Sequence, residues 1–290
     1  MENLHTPVLL SEVLAGLAPR KDEKYLDLTA GYGGHAKEIL DVTLNYKNSV
    51  LVDRDEFAAN YLRQKFGGDI TIINTDFYSA VLQLLQCGKT FDMILADFGV
   101  SSLQLDSPER GFSLKHDGPL DMRMDRHQTL TASDIVNKWS ERDLAELFVR
   151  YGEESSGRAR MLAKEIISHR PVTTTKELAS LIANKSKHSR THPATRVFQA
   201  IRIAVNNELD IIENTLPLLP KLLNPGGRLA IITFHSLEDR LVKDYFKEVA
   251  SYGEESELTI ITKKPLVASQ SELVINPRAR SAKLRIAARN

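Results

Sequence analysis

The sequence predicts an α/β protein that has a mostly parallel sheet and an all-helical insertion. Short apolar runs alternate with segments of helix length through the first hundred residues, which is the pattern of parallel β-strands joined by helices. The alternation stops near residue 107, helical patterns fill the chain to about residue 192, and the alternation then resumes. We therefore expect one sheet domain built from residues 1–106 and 193–290, interrupted by a helical domain at 107–192.

A glycine-rich turn follows the first predicted strand. The strand runs to Asp27, and the turn contains Gly31, Gly33 and Gly34. A strand, a glycine turn and a helix N-terminus together bring a ligand close to bare backbone. The third glycine of the dinucleotide pattern G-x-G-x-x-G is missing. The turn therefore argues against a nicotinamide-dependent oxidoreductase and suits S-adenosylmethionine, which has no pyrophosphate.

Polar or aromatic residues follow the next three predicted strands. Residues 49–52 end on Asp53, residues 70–73 lead into Phe77, and residues 91–96 end at Asp97. Asp53 lies 22 positions after Gly31, near the spacing of about 20 at which a ribose-binding carboxylate follows the glycine turn. Asp55 is the competing residue, and it could instead begin the next helix.

The middle of the chain carries loop and helix signals. Residues 105–125 are rich in Gly, Pro, Asp and Met without a clear period, which is typical of a functional loop or of a junction between domains. Residues 140–143 form a capping-box pattern ahead of apolar helical spacing. Pro193 begins what we predict to be one long helix that continues to Pro217.

The last part of the chain returns to strands. Residues 224–227 predict a turn, and residues 229–234 are a strand that ends at His235. A second capping-box pattern from Ser236 to Asp239 predicts a helix after it. Residues 258–262 and 282–287 complete a predicted sheet of seven strands.

Composition excludes several classes of protein. The 290 residues are 42% hydrophobic and 26% charged, so the chain can form an ample core. A single cysteine, Cys87, rules out an internal disulfide and a cysteine-rich zinc site. The histidines show no metal-ligand spacing, so we expect no metal. No run is long or apolar enough for a membrane span, so we expect a cytoplasmic protein.

The charge is balanced overall but unevenly distributed. Residues 1–106 have 9 Lys and Arg against 15 Asp and Glu, whereas residues 107–206 have 17 against 12. The span 156–202 is strongly basic, and the segment after Asn276 contains five Lys and Arg without an acid. This asymmetry favours a polyanionic partner such as RNA. Solvated helix faces are the alternative explanation.

Many long motifs, in one order along nearly the whole chain, resemble the RsmH (MraW) family of 16S ribosomal RNA cytosine-N4 methyltransferases. The motifs are HTPVL (5–9), GGH (33–35), DFGVSSLQLD (97–106), RGFS (110–113), GPLDMRM (118–124), YGEE (151–154), HPATR (192–196), RIAVNNEL (202–209), FHSLEDR (234–240) and NPRARS (276–281). The resemblance implies a class I S-adenosylmethionine-dependent methyltransferase fold, Rossmann-like, with a helical domain inserted after the fourth strand. It also implies 16S rRNA of the small ribosomal subunit as partner, and the inserted domain is the candidate for RNA recognition.

The resemblance also implies a set of site residues. Gly33, Gly34 and His35 would meet the methionine end of S-adenosyl-L-methionine, Asp53 the ribose and Phe77 the adenine. Asp97 and Gln104 would complete the pocket. The chain departs from the common family residues at Ala36, Phe98 and Leu103, and none of these is a cofactor position.

Several residues keep two interpretations at this point. Asp97 is either the acceptor for the departing amino proton of cytosine or a ligand of the methionine ammonium group. His35 could order the turn instead of touching the ligand, and His235 could cap a helix instead of facing the target base. Cys87 lies away from the strand ends, which argues against C5 methylation because that reaction needs a thiolate nucleophile. An RNA-binding assembly factor without activity is the alternative outside enzymes, although both the glycine turn and Asp53 are intact.

Overall fold

The computed structural model describes residues 7–185 and 192–290, and the chain forms two compact units. The first unit consists of Met1–Gly99 and Leu209–Asn290, and the second is Val100–Glu208. His5, Thr6 and His188, which belong to the motif or the basic span noted above, lie outside the described residues. We describe each unit by itself.

The first unit is built around a seven-stranded sheet, as the sequence predicts. The strands are β1 (Tyr25–Asp27), β2 (Val50–Val52), β3 (Thr71–Ile73), β4 (Phe91–Asp97), β5 (Leu223–Thr233), β6 (Leu258–Ile260) and β7 (Lys283–Arg289). Their order is β3-β2-β1-β4-β5-β7-β6. The pairs from β3 to β5 are parallel, and β7 is antiparallel to both of its neighbours. The carboxyl ends of β1, β2, β3, β4 and β5 therefore share one edge of the sheet.

Helices cover both faces of this sheet. They are α1 (Leu10–Leu17), α2 (Gly34–Thr43), α3 (Glu56–Phe66), α4 (Phe77–Gln86), α11 (Glu208–Thr215), α12 (Leu219–Leu222), α13 (Ser236–Ser251) and α14 (Gln270–Ile275). Side chains of α1, α2 and α3 share one buried cluster with the sheet, and those of α4, α12 and α13 share another. Because both faces are covered, the central strands are apolar throughout, as β2 with its sequence Val-Leu-Val shows.

The fifth strand starts earlier than the sequence predicts. Leu223 already pairs with Phe91, and the register then shifts so that Arg228 pairs with Met93. Residues 224–227 bulge between these two pairs, and Gly226 has a left-handed φ of 75°. The Asn-Pro-Gly-Gly segment is therefore an irregularity within β5 and not a turn before it.

The second unit consists of helices around its own apolar core. The helices are α5 (Ser102–Asp106), α6 (Ala132–Lys138), α7 (Glu141–Arg150), α8 (Ser156–Ser168), α9 (Thr175–Asn184) and α10 (Thr195–Asn206). The expected irregular loop is part of this core, because Phe112, Leu120, Met122 and Met124 are buried in it. Apolar side chains of residues 112–124 therefore help to hold the unit together, and a further role of residues 105–125 as a functional loop or junction stays a prediction.

The boundaries of the helical unit differ from the predicted 107 and 192. The predicted long helix breaks at Asn207, whose φ of 51° is left-handed. Before the break, Val197, Ile201 and Val205 pack in the helical core, whereas Ile212 after it packs in the sheet core. The apolar stripe therefore packs first in the core of the helical unit and then in the core of the sheet unit. The helical unit ends at Glu208.

In residues 7–185 and 192–290, every helix is too short or too polar to cross a bilayer.

Candidate cofactor-binding site

The glycine turn after β1 combines open space with close packing. Gly31 and Gly33 have left-handed φ values of 53° and 68°, which glycine adopts without strain. A Cβ atom on Gly31 would meet no heavy atom closer than 4.0 Å, whereas one on Gly33 would lie 2.6 Å from Phe66 and one on Gly34 2.6 Å from Pro7. Gly31 therefore faces free space, and the other two glycines make room for neighbouring side chains.

Asp53 follows β2 and holds this turn in place. Its Oδ2 accepts a hydrogen bond from Gly31 N at 2.8 Å, and its Oδ1 accepts one from Asp55 N at 2.8 Å. Loss of water around the carboxyl raises its pKa to about 6, against the effect of these two hydrogen bonds. Asp55 caps α3 by accepting from Phe57 N, so the helix-start interpretation of Asp55 is confirmed.

Asp97 ends β4 with a carboxyl group that lacks full hydrogen bonding. Its Oδ2 lies 3.9 Å from His35 Nδ1, and its buried Oδ1 has no hydrogen-bond partner in the described part of the chain. Its backbone N–H donates to Thr29 Oγ1 at 2.6 Å. Loss of water raises the pKa of Asp97 well above its usual range, and the charges of Asp27 and Glu238 raise it further.

Asp27 is a further carboxyl at this edge, and it is absent from the predicted site residues. It ends β1, is 1% exposed, and accepts from Tyr25 Oη at 2.8 Å and from Thr29 N at 3.1 Å. Burial raises its pKa to about 7. The available signal was an acid at the end of an otherwise apolar strand, since isolated buried carboxyls are uncommon.

His35 lies in the first turn of α2 and is 7% exposed. Its Nε2 is 2.9 Å from Val8 O. A carbonyl oxygen only accepts, so Nε2 carries a proton and donates this hydrogen bond. This contact orients the ring so that Nδ1 is the nitrogen near Asp97. His35 thus orders the start of α2, and its contact with a ligand stays a prediction.

Phe77 is the first residue of α4, which is the helix that follows β3. Its ring stacks on Phe98 with centroids 5.4 Å apart and an angle of 28° between the planes. Phe98 is 3% exposed, whereas Phe77 is only half-buried. One ring is therefore core, and the other presents an aromatic surface beside the strand ends.

The predicted capping box after β5 begins one residue earlier than expected. His235, and not Ser236, is the N-cap of α13, and its Nδ1 accepts from Glu238 N at 3.3 Å. Glu238 is fully buried, and its Oε2 accepts from Phe234 N at 2.7 Å and from His235 N at 3.2 Å. A glutamate at the third helical position reaches these amides, whereas Asp239 is engaged elsewhere. The capping interpretation of His235 is the one that its contacts support.

Gln104 belongs to the second unit and is described within it alone. It is 5% exposed in the short helix α5, and its Oε1 accepts from Ser101 N at 3.1 Å. This contact orders the start of the helix. A role of Gln104 toward the cofactor stays a prediction.

Much of the predicted basic surface is engaged inside the protein. Near the C-terminus, Lys283 and Arg285 contact Asp239 at 2.9 and 2.8 Å, and Arg289 donates to a backbone carbonyl. These three residues are engaged within the fold, and contacts of the C-terminal basic segment with a polyanion stay a prediction. Arg278 and Arg280 are exposed.

The basic span of the helical unit is divided in the same way. Arg158 pairs with Glu154 at 3.0 Å, and Arg170 donates to the carbonyls of two residues. Arg160 and Lys164 lie on the exposed side of α8. These two residues are the better candidates for contacts with an external anion.

The sheet and its strand-end carboxyls define a class I S-adenosylmethionine-dependent methyltransferase. The model of the MraW methylase family matches residues 2–290, and the chain belongs to this family. Ribosomal RNA small subunit methyltransferase H of Trichormus variabilis is 47% identical over 98% of this chain and 91% of that protein. The protein of the same name from Trichodesmium erythraeum is 47% identical over 98% of each chain. A crystal structure of an rRNA methylase from Streptococcus thermophilus has a TM-score of 0.43 at 9% identity, covering 99% of this chain and 98% of that one.

The methyl donor of this family is S-adenosyl-L-methionine, and the residues at the strand ends fit it. The donor carries positive charge on its sulfonium and ammonium groups, and Asp97 offers a buried carboxyl oxygen that has no hydrogen-bond partner among the described residues. Gly31 borders open space at the turn, and Phe77 presents a half-buried ring. The chemistry of these groups matches a cationic ligand with an aromatic base.

Proposed function

We propose that this protein transfers the methyl group of S-adenosyl-L-methionine to N4 of a cytosine in the decoding region of 16S rRNA, within the small ribosomal subunit. The observation that carries the proposal is the 47% identity, over 98% of the chain, to proteins named small-subunit rRNA methyltransferases. A ribosomal substrate also implies the cytoplasmic location expected from the sequence.

An exocyclic cytosine amine is a poor nucleophile because its lone pair is delocalised into the ring. When bound, S-adenosylmethionine supplies an electrophilic methyl group on sulfur. The protein must therefore align the amine and provide an acceptor for its proton. The carboxyl of Asp97 is suited to accept this proton, and it is equally suited to hold the donor's ammonium group. An Asp97→Asn variant lowers kcat in the first role and raises the KM for the donor in the second.

The other site residues take supporting roles in the proposal. Asp53 already accepts one N–H on each oxygen, and a carboxylate retains further lone pairs for two ribose hydroxyls. The half-buried ring of Phe77 is suited to stack on adenine. His35, Gly33 and Gly34 border the methionine end through the glycine turn.

The cytosine C5 reaction is disfavoured by the position of Cys87. That reaction requires a thiolate next to the target base. Cys87 follows α4 and precedes the amino end of β4, which is the opposite end of the strand from Asp97. We therefore propose an amino-directed reaction.

RNA phosphates are the proposed partners of the exposed arginines and lysines. Arg160 and Lys164 share the exposed side of α8, and Arg278 and Arg280 lie on the first unit. Each phosphate contact contributes about one unit to the slope of log affinity against log salt. The Arg160→Ala variant should lower that slope without changing the position of the methyl group. Lys138→Ala, which removes a cation already paired with Asp134 at 2.6 Å, is the matched control.

The deciding experiment uses labelled S-adenosylmethionine and small ribosomal subunits from cells that lack this protein. Nucleoside analysis of the product should give N4-methylcytidine, the Asp97→Ala variant should give little label, and Cys87→Ser should behave as wild type. Label in 5-methylcytidine, or transfer only to another RNA, would refute the proposal.

A further inference from the structure

Asp27 is a buried titratable group that has no role in the proposed function. Asp27 is 1% exposed at the carboxyl end of β1, yet its hydrogen bonds come from a tyrosine hydroxyl and a backbone amide. Taking a carboxylate out of water in such surroundings is costly, so the group tends to keep a proton. A carboxyl that only supported the fold would be stabilised better by a cation or replaced by an amide.

Asp27 is coupled to Asp97 through the sheet and through Thr29. In the β1–β4 register Asp27 pairs with Leu95, so Asp97 lies two residues further along and points to the same face. Thr29 joins the two acids, because its N–H donates to Asp27 Oδ1 at 3.1 Å and its Oγ1 accepts from Asp97 N at 2.6 Å. The negative charge of Asp27 raises the pKa of Asp97.

Other titratable groups face this pair from several neighbouring elements of the first unit. Tyr25 faces Asp27 from β1, His35 approaches Asp97 from α2, and Glu238 acts on Asp97 from α13. Asp53, after β2, raises the pKa of Asp27, and Arg54 partly offsets the charge around Asp53. Acids predominate among these groups, and their negative charge favours the protonated form of the pair when no cation is bound.

We propose that Asp27 and Asp97 act as one carboxyl pair that releases a proton when the cationic methyl donor binds, with Asp27 as the positioning residue behind Asp97. The inference rests on the proposed role of Asp97 at the donor site. The proton passes from the pair to solvent, and no other bond forms or breaks. Donor binding thus leaves Asp97 ionised, as it must be either to hold the ammonium group or to accept the amino proton.

The linkage between the proton and the donor predicts the direction of the pH effect. The charge of Asp27 raises the pKa of Asp97, so the titrations of the two carboxyls are coupled, and a cation beside them favours the ionised form. Donor affinity must therefore rise with pH, by at most about tenfold per unit for one proton, until the pair is ionised without the donor. The pKa of Asp27 is about 7, so binding at pH 7 should release about half a proton or more.

The test is calorimetric titration of the full chain with S-adenosylmethionine at pH 7, in buffers of different ionisation enthalpy. Wild type should release about half a proton or more per donor bound. Asp27→Asn, which keeps the shape of the side chain, should release clearly less and should bind more tightly at pH 6. Asp41→Asn removes an exposed carboxylate paired with Lys37 on α2, and it should release as much as wild type.

A second variant moves the effect in the opposite direction. The hydrogen bond from Tyr25 lowers the pKa of Asp27, so Tyr25→Phe should increase the proton release and shift the pH dependence of affinity upward. This variant keeps the proposal testable if Asp27→Asn folds poorly.

Two results would overturn the inference. One is donor binding without proton release, and the other is Asp27→Asn with the same release and pH dependence as wild type. Both leave the methylation reaction untouched, because nucleoside analysis of the rRNA product tests the proposed function separately.

Discussion

Carboxyls that are partly or fully buried occur in two kinds of surroundings in this protein. In the helical unit, Asp121 accepts from Arg123 at 2.9 and 2.8 Å. In the first unit, Asp239 accepts from Arg285 at 2.8 Å and from Lys283 at 2.9 Å. Burial opposes ionisation at both acids, but the hydrogen bonds from the cations outweigh it and lower both pKa values. The fold itself therefore supplies the cations that stabilise these two carboxylates.

The carboxyls at the strand ends are different. Asp27 and Asp53 accept from a hydroxyl or from backbone amides, and one oxygen of Asp97 has no hydrogen-bond partner within the described chain. Loss of water raises all three pKa values. The contrast indicates that the fold supplies cations where a carboxylate is structural. At the strand ends it leaves that charge to be supplied by the ligand.

The largest expected effect comes from removing the strand-end charge. Asp97→Asn should lower methyl transfer by on the order of 10²-fold or more, because it removes either the proton acceptor or the anion beside the donor. The protein should stay folded, since an amide costs less to bury than a carboxylate. Initial rates and thermal unfolding measure the two effects, and Asp41→Asn is the control. A variant with full activity would show that Asp97 has neither role.

The two groups of carboxyls should also affect stability with opposite pH dependence. The folded pKa of Asp27 is raised from 3.8 to about 7, so the folded state holds more protons than the unfolded state between these values. The free energy of unfolding should therefore fall as pH rises from about 4 to 7, by up to about 4 kcal/mol from Asp27.

Urea unfolding at several pH values measures this change, and Asp27→Asn should flatten the curve. Asp239, whose pKa is lowered, contributes stability that is lost only below the ordinary carboxyl range. An unfolding free energy that rises between pH 4 and 7 in wild type, and equally in Asp27→Asn, would contradict the assignment.

Breaking the ion pair between Asp239 and one of its cations should lower the stability of the fold and leave donor binding unaffected. Arg285→Ala leaves the buried Asp239 without its main cation, which should cost about 3 kcal/mol. Lys283→Ala should lower the free energy of unfolding by clearly less, because the side chain of Lys283 is 39% exposed. Urea unfolding gives the cost, and the donor Kd of the folded variants should match wild type. A weakened Kd would mean that Asp239 belongs to the donor site after all.

The smallest effect concerns the aromatic pair. Phe98 stacks on Phe77. Phe98→Leu should cost about 1 kcal/mol of stability, because the replacement keeps most of the buried area. Donor affinity should change by less than about threefold, because the ring proposed to meet adenine is kept. Fluorescence-detected unfolding and donor titration test both numbers, and a tenfold loss of affinity would show that the stack positions Phe77.

The positions of the strands along the chain and the residues at their ends could be predicted from the sequence. Apolar runs followed by Asp53 and Asp97 mark strand ends by local pattern alone. The break at Asn207 could not be predicted, because the stripe of apolar residues continues through it. Only the two separate cores, seen in three dimensions, explain why the helix ends there.

The roles within the glycine turn could be predicted only in part. The sequence shows which residues are glycine but not what lies beside them, so Gly31 and Gly33 look equivalent. The neighbour of Gly33 is Phe66, which is distant along the chain. Asp27 has a sequence signal, an acid in an apolar strand, but its coupling to Asp97 depends on strand pairing.

The most direct test of the strand-end site is carbon-13 NMR of the aspartate carboxyl groups, titrated with pH in the free protein and with S-adenosylmethionine bound. Asp27→Asn and Asp97→Asn assign the signals. We expect an aspartate signal of the free protein to titrate near pH 7 and to move to lower pH when the donor binds. Two results would contradict this account: titration of Asp27 and Asp97 near the ordinary value of about 4, or a titration that the donor leaves unchanged. Either result would mean that the strand-end carboxyls do not bind the cationic donor, and the site would have to be reassigned.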